Sequence, residues 1–281
     1  MHVFLNGRFV PEECAVVSVF DRGFLYGDGV FETVLVSNGR PFRWAAHLDR
    51  FQRGAEFLKI KLSCSPAALH RFAGQLIAKN QMPEALLRLT LSRGVGVRGY
   101  SPQGATAPTL VMTLHAAPKV NLKNPPRWKL ITASPRLPAG ESQAQFKTAN
   151  KLSQILARAE ADAAGADEAL LLNTDGNVVE ASAGNLFWIE RNTICTPPLA
   201  SGILPGVTRA VVLEISRSLG LKTREAQITP AKLRRAAGAF VSLSSWGVVE
   251  VQSLDGHKLE VSALTALIRD RYWACVGVEN A

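Results

Sequence analysis

The sequence predicts an α/β chain built in two parts. Short apolar runs of strand character are interspersed with segments whose apolar residues recur every three and four positions, the spacing of one helix face. The 281 residues suffice for one large domain or two of ordinary size. Residues 116–127 are dominated by proline and polar residues (Pro118, Pro125, Pro126), which marks a boundary. We therefore expect an N-terminal α/β domain over residues 1–117, a linker over 118–127, and a C-terminal α/β domain over 128–281.

Composition narrows the class. Hydrophobic residues make up 47% and charged residues 20%, an ordinary balance with enough apolar mass for a sizeable core. No apolar run approaches a membrane span, and the start of the chain lacks the basic and apolar regions of a signal peptide. Cys14, Cys64, Cys195 and Cys275 lie far apart without metal-type spacing, so reduced packing residues in a cytoplasmic protein are expected. The five histidines are scattered too, and no metal site is expected. The net charge of +9 is spread over 32 dispersed Lys and Arg with no basic run, which fits small anionic substrates at least as well as nucleic acid.

In chain order, Asn6-Gly7 reads as a hairpin turn. Residues 15–20 alternate weakly, like a strand. Residues 21–33 carry three glycines in seven positions, giving either a loop that approaches a ligand or a tight connection between strands. A strand over 34–36 turns at Asn38-Gly39. A helix opens at His47-Leu48-Asp49-Arg50, with Leu48, Phe51, Ala55 and Leu58 on one face and Arg50 and Arg53 flanking it, and a second helix covers 66–79. A strand over 86–92 leads to Ser92-Arg93-Gly94-Val95-Gly96-Val97-Arg98-Gly99-Tyr100-Ser101. That loop costs entropy to order, and its guanidinium groups can grip a carboxylate with paired hydrogen bonds. Strands follow at 109–115 and 128–133.

Lys147 then precedes a helix in which Leu152, Ile155, Leu156, Ala159 and Ala163 form one buried face. A lysine at the mouth of an apolar element loses hydration, which favours the neutral amine of a Schiff-base enzyme; a solvated surface lysine is the plainer alternative. The strand over 168–173 turns at 174–176 and returns through 177–182. Glu180 sits there among apolar residues and needs a partner such as a protonated ring nitrogen, unless it faces water. Ser201-Gly202-Ile203-Leu204-Pro205-Gly206-Val207-Thr208-Arg209 leads into a helix over 210–219. Its free amides suit a phosphate, or it is an ordinary helix start. A strand over 239–245 ends in hydroxyls, and a last helix spans 262–273.

Taken together these motifs resemble the fold-type IV, or class IV aminotransferase, family of pyridoxal 5′-phosphate enzymes, along nearly the whole chain. The family includes branched-chain aminotransferases, D-amino-acid transaminases and aminodeoxychorismate lyases. The resemblance implies the D-amino-acid aminotransferase-like fold, two α/β domains with the cofactor between them, in a homodimer whose loops close the partner's site. It implies Lys147 as the Schiff-base lysine, Glu180 as partner of the pyridine nitrogen, and Arg50, Val207, Thr208 and Ser244 as phosphate ligands. The loop over 92–101 and Ala166-Asp167-Glu168-Ala169-Leu170 look like the lyase branch, and Thr33 falls where lyases carry a threonine that assists proton transfer. Phe31 and Tyr100 stand where D-amino-acid transaminases use tyrosine and histidine on the substrate carboxylate, and Arg98 is the candidate for that grip here. The implied activity is conversion of 4-amino-4-deoxychorismate to 4-aminobenzoate and pyruvate, in folate precursor synthesis; the alternative is an aminotransferase acting on D-amino or branched-chain amino acids.

Overall fold

The computed structural model describes residues 1–279. The chain folds into two compact units, the first comprising Met1–Ala117, Phe146–Asn150 and the residues from Val276 onward, the second Pro118–Gln145 and Lys151–Cys275. The first passage between units therefore falls after Ala117. The proline-rich stretch belongs to the second unit, and the segment carrying Lys147 belongs to the first, not to the C-terminal part expected from its place in the chain. The reason is local pairing. Phe31 N donates to the Lys147 carbonyl at 3.0 Å, Ala149 N donates to the Gly29 carbonyl at 2.8 Å, and Phe146 stacks on Phe57 at 4.1 Å.

The first unit contains β1 (His2–Leu5), β2 (Arg8–Pro11), α1 (Arg22–Tyr26), β3 (Gly29–Ser37), β4 (Arg40–Pro41), α2 (Trp44–Phe57), α3 (Pro66–Asn80), β5 (Ala85–Ser92) and β6 (Thr109–Ala116). They build an antiparallel sheet of order β2-β1-β6-β5-β3-β4. Asn6 and Gly7 both take positive φ, as a two-residue hairpin of right-handed strands requires. Ser65 caps α3 and Pro66 opens it. One sheet face buries Val34, Val36, Leu87, Leu89, Met112 and Leu114 against Leu48, Phe51 and Ala55 of α2 and Leu69, Leu76 and Ile77 of α3. Strand alternation then turns Phe31, Thr33, Arg88 and Thr90 to the opposite, half-open face. The strand expected over 15–20 is absent; this stretch is irregular and largely exposed, with no neighbouring strand to pair it.

The second unit contains β7 (Arg127–Leu137), α4 (Leu152–Ala163), β8 (Glu168–Asn173), β9 (Val178–Ala181), β10 (Asn185–Glu190), β11 (Thr193–Thr196), α5 (Val207–Ser218), β12 (Lys222–Glu225), α6 (Pro230–Leu233), β13 (Ala239–Leu243), β14 (Gly247–Leu254), β15 (His257–Lys258) and α7 (Ala263–Glu279), whose last turn lies in the first unit. The sheet runs β12-β11-β10-β13-β14-β7-β8-β9, with β15 on β14. It is mixed: β7 pairs in parallel with β8 and β14, and β11 with β12. Its core gathers Leu130, Leu170, Val178, Leu186, Trp188, Val241 and Val249.

Helix α4 corrects the sequence reading. Ala157 and Ala161 are the residues it buries, against Ala133, Ala169 and Leu171. The face expected to be buried is exposed, with Leu152 at 68% and Ile155 at 62%. Small residues let the helix sit close on the sheet, and that turns the larger side chains outward. The cysteines also differ: Cys195 is buried and Cys64 packs on the first core, but Cys14 is exposed.

Candidate active site

In the first unit, the half-open sheet face gathers the chemistry. Phe31 and Thr33 alternate with core residues on β3, and Thr33 stands directly across from Arg88 of β5. The Arg88 guanidinium carbon lies 4.0 Å from the Phe31 ring centroid, and Lys147 Nζ lies 4.6 Å from the same centroid. Lys147 is held there by its own main chain, which bridges to β3 at Val30 and Thr148. It is fixed by this extended segment, not by the start of α4 as its sequence position suggests. Arg88 is half-buried with no acidic partner among the described residues, and burial pushes its pKa down. Two cationic side chains sharing one aromatic ring make this face attractive to an anion.

Behind that face, Glu32 points into the core between β3 and α2. Its Oε1 accepts from Arg50 Nε at 2.7 Å, and its Oε2 accepts from Arg50 Nη2 at 2.8 Å and faces His47 Nδ1 at 2.8 Å. All three residues are buried. Burial opposes ionisation of Glu32, but Arg50 and His47 outweigh it and hold its pKa at about 2. His47 is lowered, chiefly by burial, with Arg50 and Lys147 adding to the effect against the pull of Glu32. Because the ionised Glu32 can only accept, His47 Nδ1–H is the donor of that contact. Arg50, expected to flank the helix face, is thus buried and oriented by a bidentate carboxylate.

Arg98 and Tyr100 are exposed on the loop after β5, in the same unit.

In the second unit, Glu180 on β9 is fixed by Asn185. Asn185 Nδ2 donates to Glu180 Oε2 at 3.2 Å and to the Leu204 carbonyl at 2.9 Å, while Leu204 N donates to Glu180 Oε2 at 3.1 Å. This ties the carboxylate to the turn that enters α5. Gly206 is the N-cap of α5 and no side chain caps the helix, whose first residues, Val207 and Thr208, are buried. A Cβ on Gly206 would stand 2.0 Å from Asn185 Oδ1, so glycine is required for this close approach. Ser244 lies in the turn after β13. Ser242, which pairs across the sheet with Asn185, is buried with its hydroxyl lacking a hydrogen-bond partner. In the first unit Lys147 stands beside Phe31, with Thr33 further along the same strand face and Arg50 buried behind it; in the second, Glu180 is tied to the turn that leads to Val207 and Thr208.

Arg88, Glu32, His47 and Asn185 have no role in the sequence reading, where Ser242 figures only among the hydroxyls that end its strand. The signal for Arg88 was a cation at an alternating position of an otherwise apolar strand. Glu32 and Asn185 are single polar residues within apolar runs, which must find partners when buried. Among the described residues, no cluster of His, Cys, Asp and Glu could hold a metal ion, and no helix is long and apolar enough to cross a membrane.

Comparison with known proteins supplies the context. Residues 29–254 match the family model described as amino-transferase class IV. A Methanocaldococcus jannaschii protein bearing the provisional name of a branched-chain-amino-acid aminotransferase is 33% identical over 97% of this chain and 95% of its own. A D-alanine aminotransferase of Staphylococcus aureus (strain MSSA476) is 31% identical over 91% of this chain and 89% of its own. The crystal structure of 4-amino-4-deoxychorismate lyase from Pseudomonas aeruginosa superposes with a TM-score of 0.85 at 32% identity, covering 96% of this chain and 97% of that one.

Proposed function

The chain belongs to the class IV aminotransferase family, and from that premise we propose a pyridoxal 5′-phosphate enzyme that converts 4-amino-4-deoxychorismate to 4-aminobenzoate and pyruvate. The residues suit the cofactor. The second unit offers a fixed carboxylate at Glu180, an uncapped helix start whose glycine leaves no room for a Cβ, and a buried orphan hydroxyl at Ser242. In this reading Glu180 accepts a hydrogen bond from the ring nitrogen, and Val207, Thr208, Ser244 and Arg50 hold the phosphate. When bound, the cofactor supplies a carbonyl for amine condensation and an electron sink.

The chain's own groups do the rest. Lys147 Nζ anchors the cofactor and then takes the proton from the substrate carbon that bears the amine. The Thr33 hydroxyl, on the same sheet face, serves proton transfer at the enolpyruvyl side chain. The observation that carries the lyase reading is a pair of arginines, Arg88 and Arg98, with no acidic partner among the described residues. The substrate bears two carboxylates, one on the ring and one on the enolpyruvyl group, and each arginine can take one. Phe31 presents an apolar ring instead of a tyrosine hydroxyl, which suits a cyclic substrate.

The test is direct. Protein loaded with cofactor is given 4-amino-4-deoxychorismate and no 2-oxo acid, and pyruvate and 4-aminobenzoate are followed. Equal release of both supports the lyase. Turnover only when a 2-oxo acid is added overturns it in favour of a second reading, an aminotransferase, which the branched-chain and D-alanine relatives favour. A dicarboxylate such as glutamate would satisfy the same two arginines. We also propose a homodimer, because apolar side chains at 16–25 and 95–100 of the first unit are exposed on segments joined by the Asp21–Val95 bridge.

A further inference from the structure

We propose that Arg22 is a positioning residue for the substrate, a clamp that fixes the loop over 94–101 and thereby sets where Arg98 presents its guanidinium. The inference rests on the reading of Arg98 as a carboxylate partner. A loop with Gly94, Gly96 and Gly99 should sample many conformations, and Gly94 and Gly99 already use positive φ, at 83° and 107°. Arg98 is exposed, and no hydrogen bond or ion pair among the described residues holds its side chain. Its place must be set by the main chain beside it.

That main chain is held from below by one buried arginine. Arg22 Nη1 donates to the Gly99 carbonyl at 2.8 Å and Nη2 to the Tyr100 carbonyl at 3.0 Å, the two carbonyls that follow Arg98. Its Nε donates to Asp28 Oδ2 at 2.9 Å, and its own amide donates to the Gly94 carbonyl at 2.9 Å, so Arg22 grips both ends of the loop. Asp28 is anchored in turn by Arg93, whose Nε and Nη2 reach it at 2.7 and 3.0 Å while Nη2 also meets the Leu58 carbonyl at 2.7 Å. Tyr26 adds a second hold, its hydroxyl accepting from Gly99 N at 3.0 Å and its ring 5.7 Å from that of Tyr100. Glycine at 96 completes the fit, since a Cβ there would lie 2.9 Å from Arg22 Cδ. Only a planar fork with donors on three nitrogens reaches two carbonyls and a carboxylate together; a lysine cannot.

The experiment compares Arg22→Lys, Arg98→Ala and the double variant in cofactor-loaded protein. The probe is 4-amino-4-deoxychorismate, or D-alanine with 2-oxoglutarate if only transamination is seen. Two readouts are taken: KM against kcat, and hydrogen–deuterium exchange of peptides spanning 94–101. Arg98→Ala should raise KM roughly tenfold or more. Arg22→Lys should raise KM several-fold with kcat nearly kept, speed exchange at 99–101, and add little to KM in the Arg98→Ala background, because both act on one contact. If Arg98→Ala raises KM while Arg22→Lys changes neither KM nor exchange, the clamp is refuted and the carboxylate reading survives. If Arg98→Ala leaves KM unchanged, the carboxylate reading falls and takes with it the presentation of Arg98, whatever the exchange shows. Should Arg22→Lys fail to fold by circular dichroism, Tyr26→Phe decides by the same two readouts. It removes one tether from Gly99 and leaves the Arg22–Asp28 pair in place.

Discussion

Glu32 is the side chain on which the first unit's polar interior turns. An isolated carboxylate buried this deeply would be protonated, yet Arg50 and His47 hold its pKa at about 2, below the ordinary 4.5. A depressed acid contributes stability that is present above its unfolded pKa and lost as pH falls through the folded one. The shift corresponds to about 3 kcal/mol, lost between roughly pH 5 and pH 2. His47 works in the same direction: its folded pKa lies below 6.5, so the unfolded chain binds the extra proton first and stability falls as pH drops below that value. Melting temperature measured from pH 7 to pH 3 should therefore fall steadily, and Glu32→Gln should lower it at pH 7 while flattening the slope. An unchanged slope would refute the assignment. On the open face, Lys147→Ala should abolish turnover and the visible absorbance of bound cofactor while keeping the circular dichroism spectrum. Arg88→Leu should raise KM at least several-fold and leave that absorbance intact; loss of both would make Arg88 structural instead. The sequence singled out residues 31, 33 and 147, and the structure sets Lys147 over the Phe31 ring. It did not single out Arg88, because one cation in Leu86–Leu91 reads as an ordinary solvent-facing position until the neighbouring strands are known.

Among elements, the ones set by local chemistry were legible: the Asn6-Gly7 hairpin, the Pro66 helix start, and most of β5, β6, β8 and β13. What depended on distant partners was not. Residues 15–20 have strand character but no strand beside them, and the short, exposed β12 owes its order to pairing with β11. Helix α4 shows the limit of periodicity most clearly. Its large apolar residues form a regular stripe, but the sheet offers a shallow seat lined by Ala133 and Ala169, so Ala157 and Ala161 take it. Ala161→Leu should then cost about 1–3 kcal/mol through overpacking, whereas Ile155→Ser should leave the melting temperature nearly unchanged in either direction. A reversed order of those two effects would restore the face read from sequence. The start of α5 makes a second element-scale prediction. Gly206→Ala drives a Cβ into Asn185 Oδ1, loosening the carboxylamide that holds both Glu180 and Leu204. Cofactor affinity, measured by titrating the apoprotein, should fall more than tenfold while the overall fold persists. Wild-type affinity in Gly206→Ala would remove this turn from the phosphate site.

For the molecule as a whole, the question is what covers the apolar surface of the first unit. Scattered exposed apolar residues are normal, but here Val16, Val19, Phe20 and Phe24 come in close succession, with Phe24 at 74% exposure, and Tyr100 at 89% stands beside Tyr26. Residues 15–20 form no strand and bury almost nothing within the chain, so their hydrophobicity has no role in the core. In the homodimer proposed above a second copy would cover it, since a two-fold interface needs only one such patch on each chain. Sedimentation velocity at micromolar concentration should give the mass of two chains, and Phe20→Asp combined with Phe24→Asp should give the mass of one. The same loop that carries Arg98 borders this surface, which yields a sharper outcome. If that arginine serves the partner's site, the separated chains should keep the cofactor absorbance but bind substrate at least tenfold more weakly. Mixing the Phe20→Asp/Phe24→Asp protein with itself at high concentration should restore dimer and substrate binding together. A wild-type protein that sediments as a single chain with full activity would overturn the dimer and would require Arg98 to act within its own chain.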